Sequence, residues 1–164
     1  DSDAADRVCN ADPVRVFDVM MRKNVITRER FDTLPKSMRS FSLLKALSRR
    51  ELRGEPLLSD DESTVYATAF SNSGFTGPIN WYRNWTRNWK STADVEQSVR
   101  TPTLFIGARN DVIVTEKQIA AMPDYVPDLE THILEACGHW SQQERPDAVN
   151  ALLVDWLQRR QQPV

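Results

Sequence analysis

The sequence predicts an α/β fold in which a helical first part precedes strands that alternate with helices. Up to about residue 90, apolar residues recur every three or four positions, as in amphipathic helices. After residue 100 the order becomes strand, helix, strand, helix, which is typical of two parallel strands joined by a right-handed crossover. We therefore predict a helical region over 1–90 and an α/β region over 91–164.

The first region contains several helical segments and one well-marked helix start. Helical spacing is present in "DPVRVFDVMMRKN", "TRERFDTL" and "SFSLLKALSRREL". Ser59 and Glu62 form a predicted capping box at the start of a helix that Gly74 ends. The next segment, "INWYRNWTRNWK", is predicted as one helix with a stripe of tryptophans on one face: Trp81, Trp85 and Trp89.

The second region has two predicted strands, each followed by a helix. "TPTLFIGA" is a short apolar run of the kind that parallel sheets bury, and "LETHILEACG" is the second strand. Thr115 is the predicted N-cap of the helix in "VTEKQIAAMPDYV". "RPDAVNALLVDWLQRRQQ" predicts a final amphipathic helix whose apolar face comprises Val149, Leu152, Leu153, Trp156 and Leu157.

Two parallel strands are too few for an independent sheet of this class. Parallel sheets are normally covered by helices on both faces and contain more strands. The helical first region can cover surface, but it supplies no strand. The sequence therefore predicts a piece of a larger α/β unit, completed by another chain or by residues removed from this one.

Composition excludes several functional classes. The 164 residues carry 21 Lys and Arg against 23 Asp and Glu, a net charge of −2 that is too balanced for a nucleic-acid or membrane-surface protein. The basic residues of 22–53 are interpreted as a solvated helix face. Cys9, Cys137 and His132 are interpreted as structural, with a Cys9–Cys137 disulfide left open, and we predict neither metal nor cofactor. No apolar run approaches the roughly 18 to 20 residues of a membrane span.

Two polar residues follow the two predicted strands. Asp111 comes just after the first strand and His139 just after the second. In open α/β sheets the carboxyl ends of the strands are where ligands bind. An acid after one strand and a histidine after the next match the end of the chain order nucleophile, acid, histidine found in α/β-hydrolases. Each residue alone is weak evidence, because an Asp in a turn or a single His is more often structural.

Three motifs together resemble the soluble epoxide hydrolases of the α/β-hydrolase fold. These are "SGFTGPINWYRNWTRNW", "PTLFIGARNDVIV" and "CGHWSQQERPDAVNALLVDWL", and the resemblance covers about residues 55 to 160. It implies the end of the helical cap (lid) followed by the C-terminal part of the core. By position the implied site residues are Tyr82, a cap tyrosine that donates to the epoxide oxygen, Asp111, the acid, and His139, which activates water.

The resemblance also implies parts that this sequence does not contain. There is no "HGxP" segment and no strand–turn–helix elbow with a nucleophilic aspartate, and Tyr66 and Tyr125 are poorly placed as a second cap tyrosine. The expected function is therefore hydrolysis of an epoxide, as a small-molecule substrate, to a vicinal diol together with an N-terminal half that supplies the nucleophile. The expected protein is soluble and cytoplasmic, with secretion and a dimer of the assembled enzyme left open, and it contacts neither nucleic acid nor membrane.

Alternative interpretations remain at the level of the sequence. Tyr82 could be an aromatic wedge, although on an ideal helix it points about 100° away from the tryptophan stripe. Trp140 could line the substrate pocket or pack under the final helix. The same Asp and His positions serve haloalkane or haloacid dehalogenases and esterases, for which a phenol is a less usual donor. A non-catalytic interaction module that keeps the hydrolase C-terminus is the alternative from another class.

Overall fold

The computed structural model describes residues 3–23, 25–40 and 42–161. Residues 1, 2, 24, 41 and 162–164 of the predicted regions lie outside the described residues. The α-helices are α1 (Ala4–Ala11), α2 (Pro13–Met20), α3 (Arg28–Asp32), α4 (Leu43–Leu47), α5 (Asp60–Ser73), α6 (Thr76–Arg83), α7 (Trp85–Ser91), α8 (Glu116–Ala121), α9 (Ser141–Glu144) and α10 (Pro146–Gln161). The strands are β1 (Arg22–Lys23), β2 (Glu55–Pro56), β3 (Thr103–Ala108) and β4 (Leu129–Leu134), and 3-10 turns occupy Lys36–Met38 and Met122–Asp124.

The chain forms two compact units. The first comprises Asp1–Arg22 and Ser40–Glu96, and the second comprises Lys23–Arg39 and Gln97–Val164. The segment Lys23–Arg39 thus groups with the strands rather than with the rest of the helical region. The cap and core roles assigned to 1–90 and 91–164 stay predictions.

An aromatic cluster forms the centre of the first unit, where α2 packs on α5. Phe17 is buried, and its ring centroid lies 5.0 Å from those of both Tyr66 and Phe70. Phe70 in turn lies 4.7 Å from buried Phe75. Helical spacing places these rings on one side of each helix, so the amphipathic pattern of the sequence accounts for this core.

Both predicted ends of α5 are confirmed. The Ser59 hydroxyl accepts from the Glu62 amide at 3.3 Å, and the Glu62 carboxylate accepts from the Ser59 amide at 2.8 Å. Gly74 ends the helix with φ +72°, a left-handed conformation that glycine adopts without a steric penalty. The chain then turns into α6, where the Phe75 amide donates to Asn10 Oδ1 at 2.8 Å.

The tryptophan-rich helix differs from its prediction. It divides at Asn84 into α6 and α7, and the Asn84 side-chain amide donates to the Asn80 carbonyl at 2.9 Å. Asparagine side chains compete for backbone groups in this way and disturb helices locally. The predicted stripe residues are all strongly exposed within the described part of the chain: Trp81, Trp85 and Trp89.

The basic residues of 22–53 do more than solvate a helix face. Arg22 donates to the carbonyls of Arg53 and Gly54 at 2.8 and 2.7 Å, and Arg39 donates to those of Leu34 and Asp32, each at 2.7 Å. The planar guanidinium carries several donors in a fixed geometry, which suits it to join two carbonyls. These two arginines therefore bind backbone carbonyls, while Arg39 remains exposed to solvent as the sequence predicts.

The second unit contains the predicted parallel strand pair. β3 and β4 run parallel, with Thr103 opposite Leu129 and Ala108 opposite Leu134. Because parallel partners end at the same edge, the loops after Ala108 and Leu134 leave the sheet side by side. The register therefore brings the predicted acid loop next to the predicted histidine loop.

Burial in the second unit is incomplete. Most residues of β3 and β4 are only half-buried. Val149, Leu152 and Trp156 of the predicted α10 face are half-buried, whereas Leu153 and Leu157 are 42% exposed. Part of the apolar face of α10 thus remains uncovered by the described residues.

Two further expectations concern the cysteines and the membrane. Cys9, in the first unit, and Cys137, in the second, are both buried free thiols. Burial raises the pKa of each thiol.

Within the described ranges, no helix is both long and apolar enough to cross a bilayer.

Candidate active site

The predicted acid occupies a tight loop directly after β3. The Asp111 amide donates to the Ala108 carbonyl at 3.1 Å, which turns the chain away from the strand. One carboxylate oxygen, Oδ1, accepts from the amides of Ile113 and Val114 at 2.7 and 3.2 Å. Only 8% of Asp111 is exposed. The backbone therefore holds this carboxylate in one orientation.

The other oxygen of the carboxylate meets the predicted base. Asp111 Oδ2 lies 3.1 Å from His139 Nδ1. Two backbone bonds continue the strand pairing and tie the loops together: the Arg109 amide donates to the Leu134 carbonyl and the Asn110 amide to the Cys137 carbonyl, each at 2.9 Å. Residues 28 positions apart in sequence thus form a hydrogen-bonded pair within one unit.

The pair perturbs both ionisation equilibria. Burial raises the pKa of Asp111, but the hydrogen bond to His139 and those from Ile113 and Val114 outweigh it, so this pKa lies below its ordinary 3.8. The hydrogen bond to Asp111 raises the pKa of His139 above 6.5 against the opposing effect of burial. The charges of Asp111 and Glu144 raise it further.

The ionised carboxylate also fixes the tautomer of the imidazole. A carboxylate only accepts hydrogen bonds, so Nδ1 of His139 carries the proton that it shares with Asp111. In the neutral ring, Nε2 is then the acceptor and the basic atom. This is the arrangement that general-base catalysis requires of a histidine paired with an acid.

An open cavity of about 280 Å³ lies next to the pair. Asp111, His139 and Trp140 contribute to its lining, together with the end of β3. The Trp140 ring meets the His139 ring edge to face, with 5.3 Å between centroids. Trp140 therefore lies in the cavity wall, and its contact with a substrate stays a prediction.

Tyr82 belongs to the first unit, on α6. It is 67% exposed, and its ring lies 6.0 Å from that of Trp85. Tyr82 thus neighbours one residue of the tryptophan stripe, because residues three apart are neighbours on a helix surface. The structure thus brings Asp111, His139 and Trp140 together in the second unit, and places Tyr82 in the first.

Two residues that support the site were missed at the level of the sequence. The Arg28 amide donates to Asn110 Oδ1 at 3.3 Å, and its guanidinium donates to the Val114 carbonyl at 2.8 Å, so Arg28 joins both ends of the Asp111 loop. Glu144 accepts from the Gly138 amide beside His139 at 3.0 Å. Arg28 is more than 80 residues from its partners and gives no local signal. Glu144 offers only its spacing of five from His139.

The described residues offer no arrangement typical of a metal centre. No group of three or more His, Cys, Asp or Glu side chains within 3–23, 25–40 and 42–161 comes close enough to hold an ion. The only side chains that the cavity gathers with evident acid–base chemistry are those of Asp111 and His139.

Comparison with known proteins gives a consistent family. Bifunctional epoxide hydrolase 2 of Mus musculus is 36% identical over 103 residues, which are 62% of this chain and 19% of the mouse protein. Epoxide hydrolase A of Mycobacterium tuberculosis is 37% identical over 102 residues, 61% of this chain and 32% of that protein. The crystal structure of epoxide hydrolase A from Mycobacterium thermoresistibile superimposes with a TM-score of 0.75 at 27% identity, over 94% of this chain and 49% of that one.

The chain is homologous to epoxide hydrolases of the α/β-hydrolase fold. Its fold is the C-terminal portion of that fold, as the sequence predicted. No protein-family model matches the chain. This epoxide hydrolase homologue spans a fifth to a third of the length of the two curated relatives and half of the solved chain, as the shares of 19%, 32% and 49% show.

Proposed function

We propose that this chain contributes the water-activating pair and a cap tyrosine to an enzyme that hydrolyses epoxides to vicinal diols. The observation that carries the proposal is the hydrogen bond between Asp111 and His139 at the carboxyl ends of two parallel strands. The homology to epoxide hydrolases supports it. In this proposal residues 1–90 act as the helical cap and residues 91–164 as the C-terminal part of the core.

The reaction begins with a carboxylate that this sequence does not supply. An aspartate of an N-terminal half attacks one epoxide carbon, the carbon–oxygen bond breaks, and an ester forms. The ring oxygen leaves as an alkoxide and takes the phenolic proton of Tyr82. A preorganised donor of this kind typically contributes about 10²- to 10³-fold in rate. The exposure of Tyr82 leaves its hydroxyl accessible to such a role.

Hydrolysis of the ester is the task of His139. Its neutral Nε2 takes a proton from water, and the resulting hydroxide attacks the ester carbonyl. The ester oxygen leaves with the proton that the imidazolium returns, which gives the diol, and the proton of the released aspartic acid restores the Tyr82 phenol. Asp111 keeps the ring in the required tautomer and stabilises the imidazolium that forms. General-base assistance of this kind is worth roughly 10²- to 10⁴-fold.

The complement is the partner that the proposal requires. Half-buried strands and the exposed Leu153 and Leu157 of α10 support a sheet that other strands extend. The substrate is a small-molecule epoxide, with Trp140 as part of the wall that contacts it. The assembled enzyme acts in the cytoplasm, either as one complex or as a dimer of it.

Reconstitution tests this function. Co-expression of the chain with an N-terminal half that carries the nucleophile is expected to give epoxide hydrolysis, which neither part gives alone. His139→Gln should abolish turnover, whereas His132→Gln should retain it, because His132 lies on β4 and bonds Glu130 at 2.8 Å. Turnover by the present chain alone, or by the His139→Gln complex, would contradict the proposal.

A further inference from the structure

The loop that carries His139 is held at three backbone positions. It runs from the end of β4 to α9. The Cys137 carbonyl accepts from Asn110, the Glu135 carbonyl accepts from Arg145 Nη1 at 3.0 Å, and the Gly138 amide donates to Glu144 Oε2 at 3.0 Å. The last of these bonds holds the peptide that enters His139 itself.

Glu144 and Gly138 approach each other so closely that a side chain at residue 138 would require the Glu144 carboxylate to move. A Cβ added to Gly138 would lie 2.7 Å from Glu144 Oε1 and 3.6 Å from its carboxyl carbon. Glu144 Oε2 therefore accepts a hydrogen bond from the Gly138 amide, while Oε1 occupies the space that a Cβ at residue 138 would take. The bond is part-buried, which limits competition from water.

The position of α9 directly after the His139 loop allows Glu144 to reach the Gly138 amide. The Glu144 amide donates to the Trp140 carbonyl at 2.9 Å, so the short helix begins immediately after the His139 loop. Its last residue thereby folds back over the peptide before the imidazole. The bond to Gly138 closes a ring of seven residues that has His139 inside it.

We propose that Glu144 is a positioning residue for His139, which it holds through the Gly138 amide. Asp111 orients the imidazole directly at Nδ1, and Glu144 fixes the backbone from which that ring extends. The catalytic consequence rests on the proposed function, whereas the structural claim concerns this chain alone. A base that is displaced by about 1 Å can lose up to roughly 10²-fold in rate.

The charge of Glu144 has an effect of its own that the test must separate. Two carboxylates act on His139: Asp111 from the loop after β3 and Glu144 from α9. Both raise the pKa of His139, and the hydrogen bond that His139 donates to Asp111 has the largest effect. Loss of charge at residue 144 therefore lowers the pKa of His139 even where the bond to Gly138 persists.

Two conservative variants separate the effect of the length of the Glu144 side chain from the effect of its charge. Glu144→Gln keeps the side-chain length and an accepting oxygen, although a neutral acceptor binds more weakly. Glu144→Asp keeps the charge but is one methylene too short to reach the Gly138 amide from the same backbone. The matched control is Glu116→Gln, which removes an exposed carboxylate that shares Arg109 with Glu135.

Amide hydrogen exchange at Gly138 is the direct readout, measured by NMR on the full chain. We expect exchange at least about tenfold faster in Glu144→Asp than in wild type, with a smaller change in Glu144→Gln and none in Glu116→Gln. The His139 resonances should titrate at lower pH in Glu144→Gln, with His132 as the internal reference. Exchange at Gly138 that is no faster in the Asp variant than in the Gln variant would overturn the proposal.

The reconstituted enzyme gives the second readout. Glu144→Asp is expected to lower kcat by about tenfold with little change in KM, and Glu144→Gln is expected to lower it less. If the wild-type complex does not hydrolyse epoxides, the proposed function fails, but exchange at Gly138 still decides the role of Glu144. An equal kcat in the two variants of an active complex would contradict the positioning role.

Discussion

At the scale of the residue, the candidate site depends on the hydrogen bonds that the two carboxylate oxygens of Asp111 accept. Oδ1 accepts from two backbone amides, and Oδ2 accepts from His139. The first set of bonds holds the acid still, and the second fixes the tautomer of the base. The positions of both residues were predictable, because strand ends are local signals and parallel strands end together. Arg28 and Glu144 were not, because their contacts depend on the folded loops.

Replacement of Asp111 by Asn tests whether the two oxygens have these separate roles. The amide oxygen can still accept from Ile113 and Val114, but the NH₂ group would then face Nδ1 of His139 and favour the wrong tautomer. We expect the rate of ester hydrolysis to fall by about 10²- to 10⁴-fold, with normal formation of the ester. Single-turnover kinetics on the reconstituted enzyme would show the ester accumulate. An unchanged hydrolysis rate would remove Asp111 from the mechanism.

The pH dependence follows from the raised pKa of His139. Only the neutral imidazole is a base, so the rate of ester hydrolysis should rise with pH and level off above a pKa higher than 6.5. The stabilising effect of the Asp111–His139 pair changes with pH in the opposite direction. Its contribution to stability is full below 6.5 and is lost as pH rises through the folded pKa of His139. On the acid side it is present above 3.8 and is lost as pH falls through the lowered pKa of Asp111.

A pH–rate profile together with unfolding at several pH values checks these signs. Asp111→Asn should move the rising limb of the profile to lower pH, since the bond that raises the pKa of His139 is weakened. His132→Gln should leave the limb in place. A limb centred below 6.5 in the wild-type complex would show that another group controls the step.

Tyr82 is tested at the other step of the reaction. Tyr82→Phe keeps the ring next to Trp85 but removes the donor, so ester formation should slow by about 10²- to 10³-fold while ester hydrolysis is retained. Tyr125→Phe is the matched control, because that tyrosine is exposed and belongs to the second unit. Stopped-flow kinetics would measure the rates of ester formation and ester hydrolysis separately. Equal rates of ester formation in Tyr82→Phe and wild type would exclude the proposed role.

At the scale of the element, local signals predicted helix ends and strands better than helix lengths. The start of α5 at Ser59 and its end at Gly74 came from capping rules that involve neighbouring residues only. By contrast, "SFSLLKALSRREL" predicted a longer helix than α4, which spans Leu43–Leu47. The division at Asn84 was missed because a side chain, not the apolar period, disturbs the helix there.

The capping box offers a measurable stability effect. Ser59→Ala leaves the Glu62 amide without its acceptor and should lower the free energy of unfolding by about 1 kcal/mol. Ser71→Ala is the control, since Ser71 is exposed in the last turn of α5, away from the cap, and alanine favours helix. Urea unfolding followed by circular dichroism measures both. A loss in Ser71→Ala equal to that in Ser59→Ala would contradict the role of the cap.

At the scale of the whole molecule, the strands that are present and those that the fold requires do not match. The parallel pair of β3 and β4 was predictable from the strand–helix–strand order, whereas its completion by further strands stays a prediction. The matched crystal structure is about twice as long as the aligned chain, and the complementary half stays part of the proposal. The sequence does not predict the identity of that proposed half, because no residue pattern here encodes the surface that would cover the sheet.

The location of the covalent intermediate tests the central claim most directly. The complex that carries His139→Gln should form the ester and fail to hydrolyse it, so intact-mass spectrometry after exposure to an epoxide can identify the modified chain. We predict a mass increase equal to the epoxide on the N-terminal half and none on the present chain. An adduct on this chain, at Asp111 or elsewhere, would contradict the account.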